Sequence, residues 1–210
     1  VTGNETADGA EKRRFVEVAR RLIAERGDLV SRAAVATGAS VSRARIEAVF
    51  PAEADLLDAI VEQWFDEPVA IMEEVLASDL PANRKMYEFF ARRFVLNRQR
   101  YRADPAAFKV YCDLGTAHFD RLESYIDLGD HYLCELIAQA QAEGAFEGLA
   151  IGEALSLINQ MVAAYTLSDL IVFLDDKLSE EKLGRIVDTL FAGLSARDGG
   201  ARGVTGLRAA

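Results

Sequence analysis

Ser42, Arg43 and Arg45 sit together on one short amphipathic stretch, Val41–Phe50, and their chemistry is that of nucleic-acid recognition. An arginine fork can take a guanine edge or a phosphate, and a serine hydroxyl can take a phosphate. Ser31 opens the preceding stretch, where it serves as a helix N-cap and can help the first backbone amides hold phosphate. Catalytic constellations are missing by contrast. There is no nucleophile elbow, phosphate-binding loop or metal-ligand spacing, and the carboxylates are distributed as on solvated helix faces. The chain is therefore not expected to be an enzyme. His118 and His131 lie 13 positions apart, which on an unbroken helix would point them about 140° away from each other. No metal and no cofactor are expected.

Two short helices joined by a tight turn must position these side chains. The first runs from Ser31 to Thr37, the break falls at Gly38-Ala39-Ser40, and the second runs from Val41 to Phe50, closed by Pro51. Ala34, Val35, Ala39, Val41, Ile46 and Phe50 face inward, small enough for close approach. This is a helix-turn-helix, whose second helix enters a DNA major groove.

A helix from about Ala10 to Arg26 precedes it, with Phe15, Val16, Val18, Ala19, Leu22 and Ile23 on one face and Gly27 as its stop. Prolines 51, 68, 81 and 105 each stand where a new helix can begin. Further amphipathic stretches follow: Ala52–Phe65, Pro68–Leu76 (an extension or a separate helix), Pro81–Tyr101, Pro105–Leu114 and His118–Gly144. Three glycines between 144 and 152 mark a loop, and Glu153–Leu174 and Ser179–Leu194 close the fold. No strand pattern appears. The expectation is an all-α protein of about nine helices. Residues 1–9 form a flexible arm, 10–51 the helix-turn-helix domain, 52–195 a helical effector and dimerisation domain, and 196–210 a flexible tail.

The 210 residues carry a net charge of −10, yet residues 9–50 hold nine Lys/Arg against five acids. A basic head on an acidic body suits nucleic-acid binding by one end only. Two cysteines, Cys112 and Cys134, are too few for a disulfide framework. The most apolar stretch, Leu155–Leu174, is broken by Asn159, Gln160, Ser168 and Asp169, so no membrane span is expected. With no secretory leader visible, the expected location is cytoplasmic.

With these elements placed, the sequence resembles the tetracycline-repressor (TetR/AcrR) family of bacterial regulators. The resemblance rests on Val35-Ala36, Ala39, Val41-Ser42-Arg43, Ile46, Phe50-Pro51 and Asp55-Leu56-Leu57, preceded by Ala19 and Gly27. It covers roughly Lys12 to Ile60. It implies a ligand-responsive transcriptional regulator, most often a repressor, that binds a near-palindromic double-stranded DNA operator as a homodimer. Half-sites would lie about one helical turn (roughly 34–36 Å) apart. Arg43 would be the first candidate for base readout, with Ser42 and Arg45 on bases or phosphate and Ser31 on phosphate.

The last two long helices would form the dimer interface, through Leu155, Ile158, Val162, Tyr165, Leu183, Ile186, Val187, Leu190, Phe191 and Leu194. A small effector, apolar or aromatic, would bind in the helical body. Its candidate contacts are Trp64, Phe90, Phe94, Tyr111, His118, Tyr125, His131, Met161 and Tyr165. The chain also departs from the family pattern. Ser40 stands where a glycine is usual, Glu47 where a tyrosine touches phosphate, and Glu53 where a lysine is usual. These changes define an alternative: a dimer of this fold that has lost operator binding and acts through ligand or protein partners.

Overall fold

A computed structural model of the chain describes residues 2–117 and 119–194. Among them are ten α-helices and no strand. The first, α1 (Thr2–Arg26), begins before Ala10, where the apolar spacing placed its start. No proline interrupts that run. Gly27, at φ 66°, ends α1, its amide donating to the Ile23 carbonyl at 2.8 Å.

Helices α2 (Arg32–Gly38) and α3 (Arg43–Val49) form the expected helix-turn-helix. Its glycine stands at position 38, packed closely on α1, where a Cβ would come to 3.0 Å from Val18 and 3.2 Å from Leu22. The left-handed turn position two residues on is Ser40, at φ 56°. Side chains of α1 brace this turn. Arg14 donates to the Ala39 carbonyl at 3.1 Å and Arg21 to the Gly38 carbonyl at 3.4 Å. Phe15, Ile23, Val35, Ile46 and Phe50 are fully or almost fully buried between the three helices. Of the expected inward set, Ala34 and Val41 are only half-buried, packed at the edge of this core.

Helix α4 (Glu53–Ala77) links this head to the body. The sequence left Pro68 as a kink or a start, and it lies inside one continuous helix. Proline has no N–H for the carbonyl four residues back, here that of Trp64. The Arg100 guanidinium supplies the missing donor, 3.0 Å from the Trp64 oxygen.

The body comprises α5 (Ala82–Ala103), α6 (Pro105–Ala117), α7 (Phe119–Ala142), α8 (Ile151–Thr166), α9 (Ser168–Phe173) and α10 (Glu180–Gly193). Helix α5 runs through its middle, against α4, α7, α8, α9 and α10. Met86, Phe89, Phe90 and Phe94 fill the core there. The buried Lys85 points its ammonium at the end of α4, donating to the Leu76 carbonyl and to Gln139 Oε1, both at 2.9 Å. Glu143 accepts from the Ala82 amide and so caps α5. The head core does not close at residue 51: it runs on through Leu56 and Ile60 of α4 into Ala107, Val110, Tyr111 and Leu114 of α6.

One expectation about the last helices needs correction. The stretch Glu153–Leu174 is two helices, because Thr166-Leu167-Ser168-Asp169 breaks it. Hydroxyl and carboxylate residues compete with the helical ladder, and Thr166 Oγ1 turns back onto the Ala163 carbonyl at 3.4 Å. The residues expected at the dimer interface are mostly turned inward. Ile158, Val162, Tyr165, Leu183, Val187 and Leu190 are buried within the single chain, and Leu155, Ile186, Phe191 and Leu194 pack against the same core. The apolar stripe marks the face each helix buries, and that face is turned to α5. The apolar side chains left exposed nearby are Ile151, Leu157 and Met161 on α8, then Leu167, Val172 and Phe173.

Candidate nucleic-acid interface

Ser31 and Ser42 cap α2 and α3, their hydroxyls accepting from the Ala34 amide at 3.3 Å and the Arg45 amide at 3.2 Å. Each holds its helix end in register while staying exposed. Arg43, in the first turn of α3, is the most solvent-exposed of the head's ion-paired cations, with 81% of its side chain accessible. Its Nε lies 2.6 Å from Glu47 Oε1, one turn further along the same helix. That hydrogen bond raises the guanidinium pKa further above its ordinary value.

Arg45 is turned back onto α1. Its Nε is 3.0 Å from Glu11 Oε1, and a second guanidinium nitrogen pairs with Glu11 Oε2. The two recognition-helix arginines are thus each held by a carboxylate. Glu53 plays a different part: it accepts from the Arg32 amide at 2.6 Å and from Arg32 Nε at 2.8 Å. Arg32 in turn reaches the carbonyls of Phe50 at 2.7 Å and Pro51 at 2.5 Å. Glu53 therefore fastens the start of α2 to the start of α4. Sequence reasoning missed Glu11 and Arg32, because both act across long separations and no local pattern marks them.

The residues expected to line one effector pocket are not brought together. Phe90, Phe94 and Tyr165 belong to the closed body core, with Tyr165 edge-on to Phe94 at 5.0 Å. Trp64 is sandwiched instead at the head–body joint, stacked on Tyr111 at 4.1 Å with the Arg100 guanidinium 4.2 Å from its ring centre. A small cavity of about 280 Å³ opens beside it, between α1, α4, α5 and α6. His131 is exposed and paired with Glu135 at 3.0 Å, and Met161 is exposed on α8. His118 lies outside the described residues.

Only Tyr125 borders the larger concavity, a groove of about 790 Å³ between α4 and α7, reaching Lys12 of α1. Its walls are Val61, Phe65, Val69, Tyr125 and Leu128, with Phe65 and Tyr125 stacked at 3.9 Å. Asp58, Glu62, Asp66 and Glu73 line it as well. Among the described residues no group of three His, Cys, Asp or Glu side chains could hold a metal ion. Nor is any helix among them long and apolar enough to cross a membrane.

A sequence profile described as "Tetracyclin repressor-like, C-terminal domain" matches residues 82–187, just over half of the chain. The chain belongs to the TetR family. The match spans α5 to most of α10, a region in which local motifs had shown only length and helical pattern. Solved TetR-like structures extend the likeness over the head as well. The fatty acid degradation regulator FadR from Bacillus halodurans superposes with a TM-score of 0.65 at 17% identity, over 89% of this chain and 97% of that one. The FadR regulator from Bacillus subtilis, solved with stearoyl-CoA, gives 0.58 at 20%, over 85% and 97%. The TetR family transcriptional regulator PfmR from Thermus thermophilus gives 0.58 at 19%, over 86% and 98%. At these identities the likeness is one of fold. No curated protein sequence gives a significant match.

Within the TetR frame, two of the three unusual head residues have physical explanations, and the third keeps the backbone geometry without the glycine. Ser40 does occupy a left-handed position. Glu47 is an ion-pair partner of Arg43, and Glu53 is a structural acceptor for Arg32.

Proposed function

We propose that this TetR-family protein is a ligand-responsive transcriptional regulator, acting as a repressor. It binds a near-palindromic operator as a homodimer and lets go when a small molecule occupies its body. The observation carrying this reading is the helix-turn-helix itself, with Arg43 on the outer face of α3 and a braced turn behind it. A recognition helix presents its N-terminal residues to base edges, where Arg43 lies. A second copy covers the exposed apolar strip of α8, Leu157 and Met161, since two-fold dimers are the commonest assembly.

The effector site in this reading is the α4–α7 groove. A molecule wedged there pushes on α4 and on Lys12 of α1, the two elements that orient the head. It acts only through unequal affinity for the DNA-bound and released arrangements.

The test is a fluorescence-anisotropy titration with the DNA immediately upstream of the gene, at two salt concentrations, for the wild type and Arg43→Ala. Saturable binding that weakens with salt and is lost in the variant is the expected result. The ion pairs on Arg43 and Arg45 favour a second reading, a dimer of this fold that no longer engages DNA. A folded wild type that binds no neighbouring intergenic fragment at low salt would establish that reading instead.

A further inference from the structure

The α3 arginines are held by carboxylates from two different places. Glu47 comes from the next turn of α3 itself, so its pairing with Arg43 is written into the helix at i,i+4. Glu11 comes from α1, and with 18% of its side chain accessible it is well anchored. Arg45 reaches it through two nitrogens, the fork geometry that also grips a phosphate. Each carboxylate therefore takes the place that a DNA phosphate would take.

We propose that Glu11 and Glu47 are specificity-determining residues that suppress attraction to DNA of arbitrary sequence. Non-specific binding comes almost wholly from Lys and Arg neutralising phosphates and releasing counterions. A cation already neutralised by a fixed carboxylate releases fewer, so a random duplex gains little from displacing that carboxylate. A cognate site differs, because base contacts from Arg43 add to the exchange. The arginine of each pair is more than half accessible, 81% for Arg43 and 53% for Arg45, and can turn to a better acceptor, so the pairs do not bar binding outright. The head thus discriminates by weakening the wrong complex, which is one of the two routes to specificity. This inference rests on the regulator reading only for its biological use. Its own test does not need an operator.

The experiment measures binding to a short mixed-sequence duplex by fluorescence anisotropy across a salt series, for the full-length wild type, Glu47→Gln and Glu11→Gln/Glu47→Gln. Each recovered phosphate contact steepens the slope of log K against log salt by about 0.9. The single variant is expected to show about that change and the double variant about 1.8, with mixed-sequence binding at low salt tighter by about tenfold or more. Glu47 is only half-buried and makes its pair within one helix, so the single variant keeps the fold even if the double variant does not. Slopes and affinities equal to wild type in a folded Glu47→Gln protein would overturn the proposal. Failure of the wild type to bind upstream DNA, with the variants still gaining mixed-sequence affinity, would sink the regulator reading and leave this one standing.

Discussion

Ser40 sits in the left-handed region, which costs a non-glycine residue about 1 kcal/mol that glycine would not incur. It is exposed, and its amide bonds the Thr37 carbonyl at 3.1 Å through the backbone alone. Ser40→Gly should therefore stabilise the protein by about 0.5–1 kcal/mol, partly offset by the added freedom of the unfolded chain. For a chain of this size that is a rise of about 1–4 °C in Tm, read by differential scanning calorimetry. A fall in Tm would mean that the serine hydroxyl contributes something the turn geometry does not show. At this scale the sequence was legible wherever the chemistry is local. Gly27 and Ser31 could be assigned as stop and cap because capping acts within three or four residues. Glu11 on Arg45 spans 34 positions, and no periodicity carries that information.

Helices α4 and α5 are tied down by polar groups inserted where their own ladders leave gaps. Arg100 is the fullest case. It donates to the carbonyl freed by Pro68, lies over Trp64 and pairs with Glu67 at 3.0 Å. Burial, the dominant influence, lowers its pKa below the ordinary arginine value, and Glu67 opposes that shift. Arg100→Ala would leave the Trp64 carbonyl without its donor and remove the cation from the ring face. A loss of about 2–3 kcal/mol follows, measured by urea unfolding. Trp64 is the chain's one tryptophan, so its emission reports the same joint directly and should shift to the red.

Asp175 pins the segment after α9 to α5, with Arg98 at 2.6 Å and Arg102 at 3.0 Å. Partial burial pushes its carboxyl pKa up, but the bonds from Arg98 and Arg102 outweigh it and leave the group below the usual carboxylate value. A depressed folded pKa means that this stabilisation is complete above the unfolded value of about 3.9 and fades as pH falls through the folded one. Asp175→Asn should therefore be less stable than the wild type at neutral pH, with the difference shrinking below about pH 4. Parallel pH–stability curves for the two proteins would refute this account. Helix positions were largely readable from apolar spacing and prolines. The ties between helices were not, because an arginine's partner is chosen by the fold.

The whole molecule places its charges and apolar surface unequally, and much of the exposed apolar surface lies on α8 (Ile151, Leu157 and Met161) and on the segment that follows it (Leu167, Val172 and Phe173). The stripes on Glu153–Leu174 and Ser179–Leu194 were visible in the sequence, yet a stripe shows only that a face is buried. It cannot tell a neighbour in the same chain from one in a second copy, and the strongest stripe residues proved to face α5. Met161, 44% exposed, is therefore a better probe of dimerisation than Leu190, which is buried. Met161→Asp should yield a folded monomer by sedimentation velocity at concentrations where the wild type is a dimer. Leu190→Asp would unfold the subunit whether or not it dimerises.

On the proposed reading, the groove between α4 and α7 constrains the effector in a way that the sequence could not. Its apolar walls suit a hydrophobic molecule, while Asp58, Glu62, Asp66 and Glu73 line it with negative charge. Glu62 is partly answered by Lys12 at 3.4 Å, and Glu73 accepts from the Tyr132 hydroxyl at 2.9 Å. A polyanionic head group such as that of an acyl-CoA would meet repulsion there, and a neutral or cationic apolar compound would not. The structural neighbours named for fatty-acid regulation share the fold at 17–20% identity, which leaves ligand chemistry to be set by each chain's own side chains. Thermal-shift titrations should therefore show stabilisation by a cationic amphiphile below its micellar concentration. Phe65→Ala should weaken it, because that change removes the ring stacked on Tyr125. Stabilisation by an acyl-CoA, insensitive to Phe65→Ala, would move the effector site away from this groove.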